Sequence, residues 1–96
     1  HAIACGKTHT LLVSNNQLYA MGSNEFGQLG ISDLTSSNTP QLVKSVTDPF
    51  KICAGGESSY VVSKEGQLTS WGRNNHNQLG FKGNSNVTTP RQVIFA

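Results

Sequence analysis

Laying each residue over the one fifty positions later superimposes residues 1–46 on residues 51–96 without a gap. Twelve of those 46 pairs are identical: Ala4/Ala54, Gly6/Gly56, Gln17/Gln67, Leu18/Leu68, Gly22/Gly72, Asn24/Asn74, Gln28/Gln78, Leu29/Leu79, Gly30/Gly80, Thr39/Thr89, Pro40/Pro90 and Val43/Val93. Leu11/Val61, Leu12/Val62 and Met21/Trp71 extend the match with similar residues. The identities gather at types that set turns and cores. One supersecondary unit used twice leaves this signature. We therefore divide the chain at 1–50 and 51–96. A period of about forty to fifty residues suits either a propeller blade or a helical repeat pair.

Local pattern chooses the blade. His9–Ser14 and Gln17–Met21 are short runs rich in branched and aromatic residues, and Asn15-Asn16 separates them. Asparagine tolerates the positive φ of a tight hairpin turn. In the second unit Tyr60–Ser63 and Gln67–Trp71 flank Lys64-Glu65-Gly66, where Gly66 supplies the same freedom. Further strands are expected at Ala2–Cys5, Gln41–Lys44, Phe50–Cys53 and Arg91–Phe95. No segment sustains a helical period. The fold class is therefore all-β, with about four strands per unit, which is the content of a propeller blade.

A long polar loop follows the second hairpin strand, from Gly22 to Thr39 and again from Gly72 to Thr89. Leu29 and Leu79 are expected to plug into the core, and Gln28 and Gln78 to satisfy backbone groups. The stretches Ser32–Asn38 and Lys82–Thr88 carry little apolar content and are expected to be mobile and exposed.

Several functions are disfavoured. The net charge of +2 offers no electrostatic footprint for nucleic acid or an anionic membrane. No apolar run reaches the length of a membrane span. Two cysteines make no disulfide framework, so Cys5 and Cys53 are read as reduced, small hydrophobes in strands. The start of the chain lacks the pattern of a secretory leader, and the sequon Asn86-Val87-Thr88 is a common chance match. An intracellular protein, in cytoplasm or nucleus, is expected. Because residue 1 is His1 rather than Met, the chain reads as an excerpt of a longer one.

No pair among His1, His9, His76, Cys5 and Cys53 has metal-ligand spacing. Neither a Gly-x-Ser-x-Gly nucleophile elbow nor a phosphate-binding glycine loop occurs. The reading is of a non-enzyme without cofactor or metal. His9 is expected to be hydrogen-bonded and structural, and His76 an exposed loop residue. Trp71 and Met21 share one repeated position and are expected in the core between blades. Arg73, Lys82 and Arg91 are read as solvated surface.

The motifs resemble the repeat of the regulator of chromosome condensation family. The family unit runs Ala-Gly-x-x-His-Ser, a hairpin, Trp-Gly-x-Asn-x-x-Gly-Gln-Leu-Gly, then Pro-x-x-Val. The first copy here has Cys5-Gly6-Lys7-Thr8-His9-Thr10, Met21 to Gly30 and Pro40 to Val43. The second has Gly55 to Tyr60, Trp71 to Gly80 and Pro90 to Val93. It departs from the pattern at Ser59, Met21 and Asn77. The resemblance implies a fragment of a seven-bladed propeller whose neighbours are further blades. It also implies a protein-interaction role, and more specifically nucleotide exchange on, or other regulation of, a small GTPase. An adaptor or chromatin-associated scaffold without exchange activity is the alternative. Partner contacts are expected at the loop positions that differ between the copies: Glu25, Phe26, Arg73, Asn75, His76 and Lys82. A two-unit piece is also expected to leave blade faces open, with Trp71, Leu12 and Val62 partly exposed.

Overall fold

A computed structural model describes residues 2–32, 34–46, 48–75, 78–80 and 85–93. It contains eight strands: β1 (Ala2–Cys5), β2 (His9–Ser14), β3 (Gln17–Gly22), β4 (Ser37–Leu42), β5 (Pro49–Gly55), β6 (Ser58–Ser63), β7 (Leu68–Gly72) and β8 (Val87–Gln92). They form two antiparallel four-stranded meanders, β1-β2-β3-β4 and β5-β6-β7-β8. The two sheets pack as adjacent propeller blades, with β1 beside β5.

The hairpins follow their turn chemistry. Asn15 and Asn16 both take positive φ, 53° and 63°, which suits the right-handed strand twist in a two-residue turn. The second blade turns at Lys64–Gly66 with Gly66 at φ 87°, closed by bonds from the Gly66 amide to Ser63 O and from the Ser63 amide to Gln67 O.

The fourth strands differ from expectation. β4 and β8 begin at Ser37 and Val87, several residues before the expected Gln41 and Arg91. Pro40 and Pro90 therefore lie inside strands. Both are edge strands, where a missing N–H facing outward breaks no ladder bond. The long loops are correspondingly shorter. Ile94 and Phe95 lie outside the described residues. β5 and β6 are also longer than expected, running to Gly55 and starting at Ser58.

The core fills the seam between the blades. Leu11, Leu18, Ala20, Leu29 and Val43 of the first blade meet Val61 and Trp71 of the second. Leu29 and Leu79 are both buried, as their repetition suggests. Trp71 is fully buried, at 0%, in the core between blades as its repeated position suggests, and not partly exposed as expected of a two-unit piece. The first blade is the neighbour that covers it. Its indole Nε1 donates to Gln28 O at 2.9 Å, and Gly30 lies against the ring. Met21, Leu12 and Val62 are half-buried.

Polar atoms stitch the same seam. His9 Nε2 is 2.9 Å from Ser59 Oγ, and Ser59 Oγ donates to Gln28 O at 2.8 Å. The Lys7 amide donates to Gly56 O and the Ser32 amide to Thr88 O, both across the blades. The cysteines are free thiols in β1 and β5, but both are exposed rather than packed as small hydrophobes. Among the described residues no helix is long and apolar enough to cross a membrane.

Candidate partner-binding face

One end of the two blades carries the β1–β2 loop, the β3–β4 loop, the β5–β6 turn and the start of the β7–β8 connection. A shared frame holds the β3–β4 loop of the first blade and the β7–β8 connection of the second. Asn24 Oδ1 accepts from the Leu29 amide at 3.0 Å, and Asn74 Oδ1 from the Leu79 amide at 3.1 Å. The Ser23 amide donates to Thr8 O, and the Arg73 amide to Glu57 O. The acceptor of the second bond shifts by one position between the blades, whereas Asn24/Asn74 and Leu29/Leu79 are repeated residues doing a repeated job. The positions between them are free to vary.

On this frame Phe26 of the first blade meets Arg73 of the second. The guanidinium carbon sits 4.6 Å from the Phe26 ring centroid. That is cation–π distance, worth about 0.5–1 kcal/mol where water has access. Arg73 Nη1 also bonds Glu57 Oε1 at 2.9 Å, the two side chains being 35% and 15% exposed. Such a part-exposed pair contributes at most about 1 kcal/mol to stability, but it fixes where the guanidinium points. Arg73 is thus tied down on two sides and is not the freely solvated residue expected.

Two grooves flank this ridge. One, of about 260 Å³, is lined by Lys7, Thr8, Ser23, Glu25, Phe26, Glu57 and Arg73. The other, of about 410 Å³, is lined by Gly55, Gly56, Glu57, Ser58, Tyr60, Arg73, Asn75 and Gln78. Four expected contact residues, Glu25, Phe26, Arg73 and Asn75, therefore gather on one face. His76 and Lys82 lie outside the described residues. Sequence reasoning missed Lys7 and Glu57. Their signal was present, since they are equivalent positions whose charge reverses between copies. A third groove, of about 460 Å³, opens at the other end, beside Asn16 and Asp48, and holds none of the expected residues.

Gln28 and Gln78 behave differently from each other. Gln28 is buried and its Oε1 accepts from the Phe26 amide at 2.8 Å, as expected of a backbone-satisfying residue. Gln78 is exposed, and its Nε2 donates to the Asn75 side chain at 3.3 Å. His9 is buried, as the structural reading expects, and burial holds its pKa below the ordinary 6.5 against smaller raising effects from Ser58 and Glu57. Among the described residues no group of three or more His, Cys, Asp or Glu side chains could hold a metal ion.

Residues 15–62 and 65–96 match the profile of the regulator of chromosome condensation (RCC1) repeat, and a second profile of the same description matches residues 1–28 and 51–78. The chain belongs to the RCC1 repeat family. Human X-linked retinitis pigmentosa GTPase regulator is 39% identical over 94 residues, covering 94% of this chain and 9% of that protein. Ultraviolet-B receptor UVR8 of Arabidopsis thaliana is 33% identical over 96 residues, covering 97% of this chain and 22% of that protein. The chain thus spans a small part of its curated relatives. Human WBSCR16 superimposes with a TM-score of 0.89 at 24% identity, covering all of this chain and 25% of that one. Saccharomyces cerevisiae Prp20p superimposes at 0.88 with 22% identity, covering 99% of this chain and 25% of that one. The RCC1 blade explains why the repeated Gln-Leu-Gly leucines are buried while the residues between them differ.

Proposed function

We propose that these two blades form part of a protein-interaction propeller that regulates a small GTPase, and that the partner sits on the face bearing Phe26, Arg73 and Glu57. The observation that carries the proposal is the Phe26–Arg73–Glu57 contact, in which variable residues of two blades are held together on a repeated frame. Arginine and aromatic residues are enriched among the few side chains that dominate binding energy. A guanidinium already held by a ring and a carboxylate loses little freedom when a partner arrives. Relatives in three mammals named as GTPase regulators supply the partner class. Regulation by such a surface needs no catalytic side chain. A partner bound more tightly in one nucleotide state than another is shifted by that difference alone. The same reading sets the protein's work in the cytoplasm or nucleus. The net charge of +2 gives nucleic acid little hold on this piece.

The second reading is an adaptor without exchange activity. It is favoured by family relatives named as a light receptor and as probable E3 ubiquitin-protein ligases. Small GTPases of the source organism, loaded with fluorescent GDP, separate the two. Acceleration of release by about tenfold or more, lost in Phe26→Ala/Arg73→Ala, supports the regulator. Binding that depends on the same two residues without faster release supports the adaptor. Binding unaffected by both substitutions removes this face from either reading.

A further inference from the structure

His9 and Ser59 occupy equivalent positions of the two repeats, fifty residues apart, yet they touch each other across the seam. Ser59 Oγ spends its one hydrogen on Gln28 O, which also accepts from Trp71 Nε1. The hydroxyl must therefore accept from His9 Nε2–H. This assigns the neutral tautomer with the lone pair on Nδ1. That atom is buried and has no hydrogen-bond partner among the described residues. A Cβ added at Gly6 would lie 2.7 Å from His9 Nδ1 and 2.5 Å from Cε1, so the Gly6 backbone covers this edge of the ring. A proton added at Nδ1 would meet that backbone, where no hydrogen bond is formed, and the Ser58 backbone favours the charged ring by less than burial disfavours it. A buried charged donor left without an acceptor is among the costliest arrangements in a protein.

We propose that the His9–Ser59 contact is an acid-sensitive latch between the blades, closed at neutral pH and loosened under mildly acidic conditions. The groove it controls spans both blades, because Phe26 belongs to one and Arg73 to the other. The latch therefore regulates the partner face described above. It rests on that reading only for this consequence.

The charged groups around the ring bear on the sign. On the β5–β6 turn, Glu57 favours the protonated ring, but its carboxylate is held by Arg73 from the end of β7 at 2.9 Å. On the ring's own loop, Lys7 is exposed. β3 meets His9 with Gly22, and the β3–β4 loop sends in Gln28, both uncharged, while Glu25 of that loop is exposed. Burial outweighs these and holds the ring below its ordinary 6.5. A histidine so depressed contributes its stability fully above the unfolded value. The contribution is lost as pH falls from 6.5 through the lowered folded value.

The test uses the full chain with hydrogen exchange, corrected for intrinsic rates, from pH 7.5 to 5.5. The Lys7 and Ser32 amides, which bond across the seam, report the latch. The Val93 amide, bonded to Leu68 O within one blade, is the control. Trp71, the only tryptophan, adds a fluorescence signal at the same node. Seam protection should fall about tenfold for each pH unit by which the ring is depressed, with Val93 steady and Trp71 emission shifting red. In His9→Gln, which can still donate to Ser59 but cannot titrate, the pH dependence should vanish. Equal pH profiles in both proteins overturn the latch. So does parallel loss at Val93, or a His9 ring that titrates at or above 6.5 by NMR in the unmodified chain. None of these readouts needs a partner, so an idle groove leaves the latch standing.

Discussion

Across the first blade, the register places Ala4, Leu11, Ala20 and Gln41 in one row and Ile3, Leu12, Tyr19 and Leu42 in the next. Cross-strand partners share a face, and adjacent rows face opposite ways. In the first row Leu11 and Ala20 are buried in the seam. In the second, Ile3 is 65% exposed and Leu42 37%, with Leu12 and Tyr19 half-buried. The open row, with Ile3, Leu12, Tyr19 and Leu42, is no less apolar than the seam row, which ends on Gln41. An antiparallel sheet with one wet face normally alternates apolar with polar, so apolar residues on both faces mark a sheet to be covered on both sides. Here the second blade covers one side. What separates the rows is therefore the presence of a neighbour, not their own chemistry.

The comparison breaks most readily at the seam. Trp71→Ala should cost about 3–5 kcal/mol, and Leu29→Ala and Leu79→Ala about 2–5 kcal/mol each, because all three side chains are buried. Chemical denaturation measures this. Leu42→Ala, on the open row, should stay near the roughly 0.5 kcal/mol of ordinary surface changes. Equal costs at Trp71 and Leu42 would mean that the seam is no more a core than the open face.

A pair of glycines sharpens the same contrast at smaller scale. Gly30 has φ +69°, and a Cβ there would lie 2.7 Å from Trp71 Nε1. Gly66 has φ +87°, with nothing within 4 Å of its would-be Cβ. Both alanine substitutions incur the left-handed backbone penalty, about 1–2 kcal/mol. Only Gly30→Ala also forces the indole to move, which adds about 1–3 kcal/mol of overpacking. Melting curves of the two variants should differ accordingly. Identical shifts would show that the Gly30–Trp71 approach is loose.

Much of this was legible in the chain. The period, the Asn15-Asn16 hairpin and the burial of Leu29 and Leu79 follow from local residue types. The variable-position rule picked out Phe26 and Arg73, which the fold brings into contact from different blades. Other features depend on tertiary context. Pro40 and Pro90 stand just before the expected strands, yet edge position lets β4 and β8 include them. Ser58 and Ser59 carry no strand signal, because their value lies in bonds to Arg73 O and Gln28 O that no local pattern reveals. Trp71 was expected in the core between blades, and only the expectation of its partial exposure in a two-unit piece fails, because the first blade supplies its neighbour. Cys5 and Cys53 read as small hydrophobes in strands, and they are free thiols in β1 and β5, but the packing leaves both exposed.

The smallest effect on stability should come from the open row, where the effect on association should be plain. Ile3 and Leu42 belong to one stripe, and apolar patches beyond a few hundred Å² favour association. The chain is expected to self-associate through this face in sedimentation velocity. Ile3→Lys/Leu42→Lys should shift it toward monomer, while the unfolding free energy moves by about 0.5 kcal/mol or less per site. Lysine at a sheet edge or face also discourages strand-to-strand pairing, so both routes to association weaken together. A native chain that sediments as a single monomer and unfolds in one sharp transition would show that the open row needs no neighbour. The difference between the rows would then lie in their side chains after all.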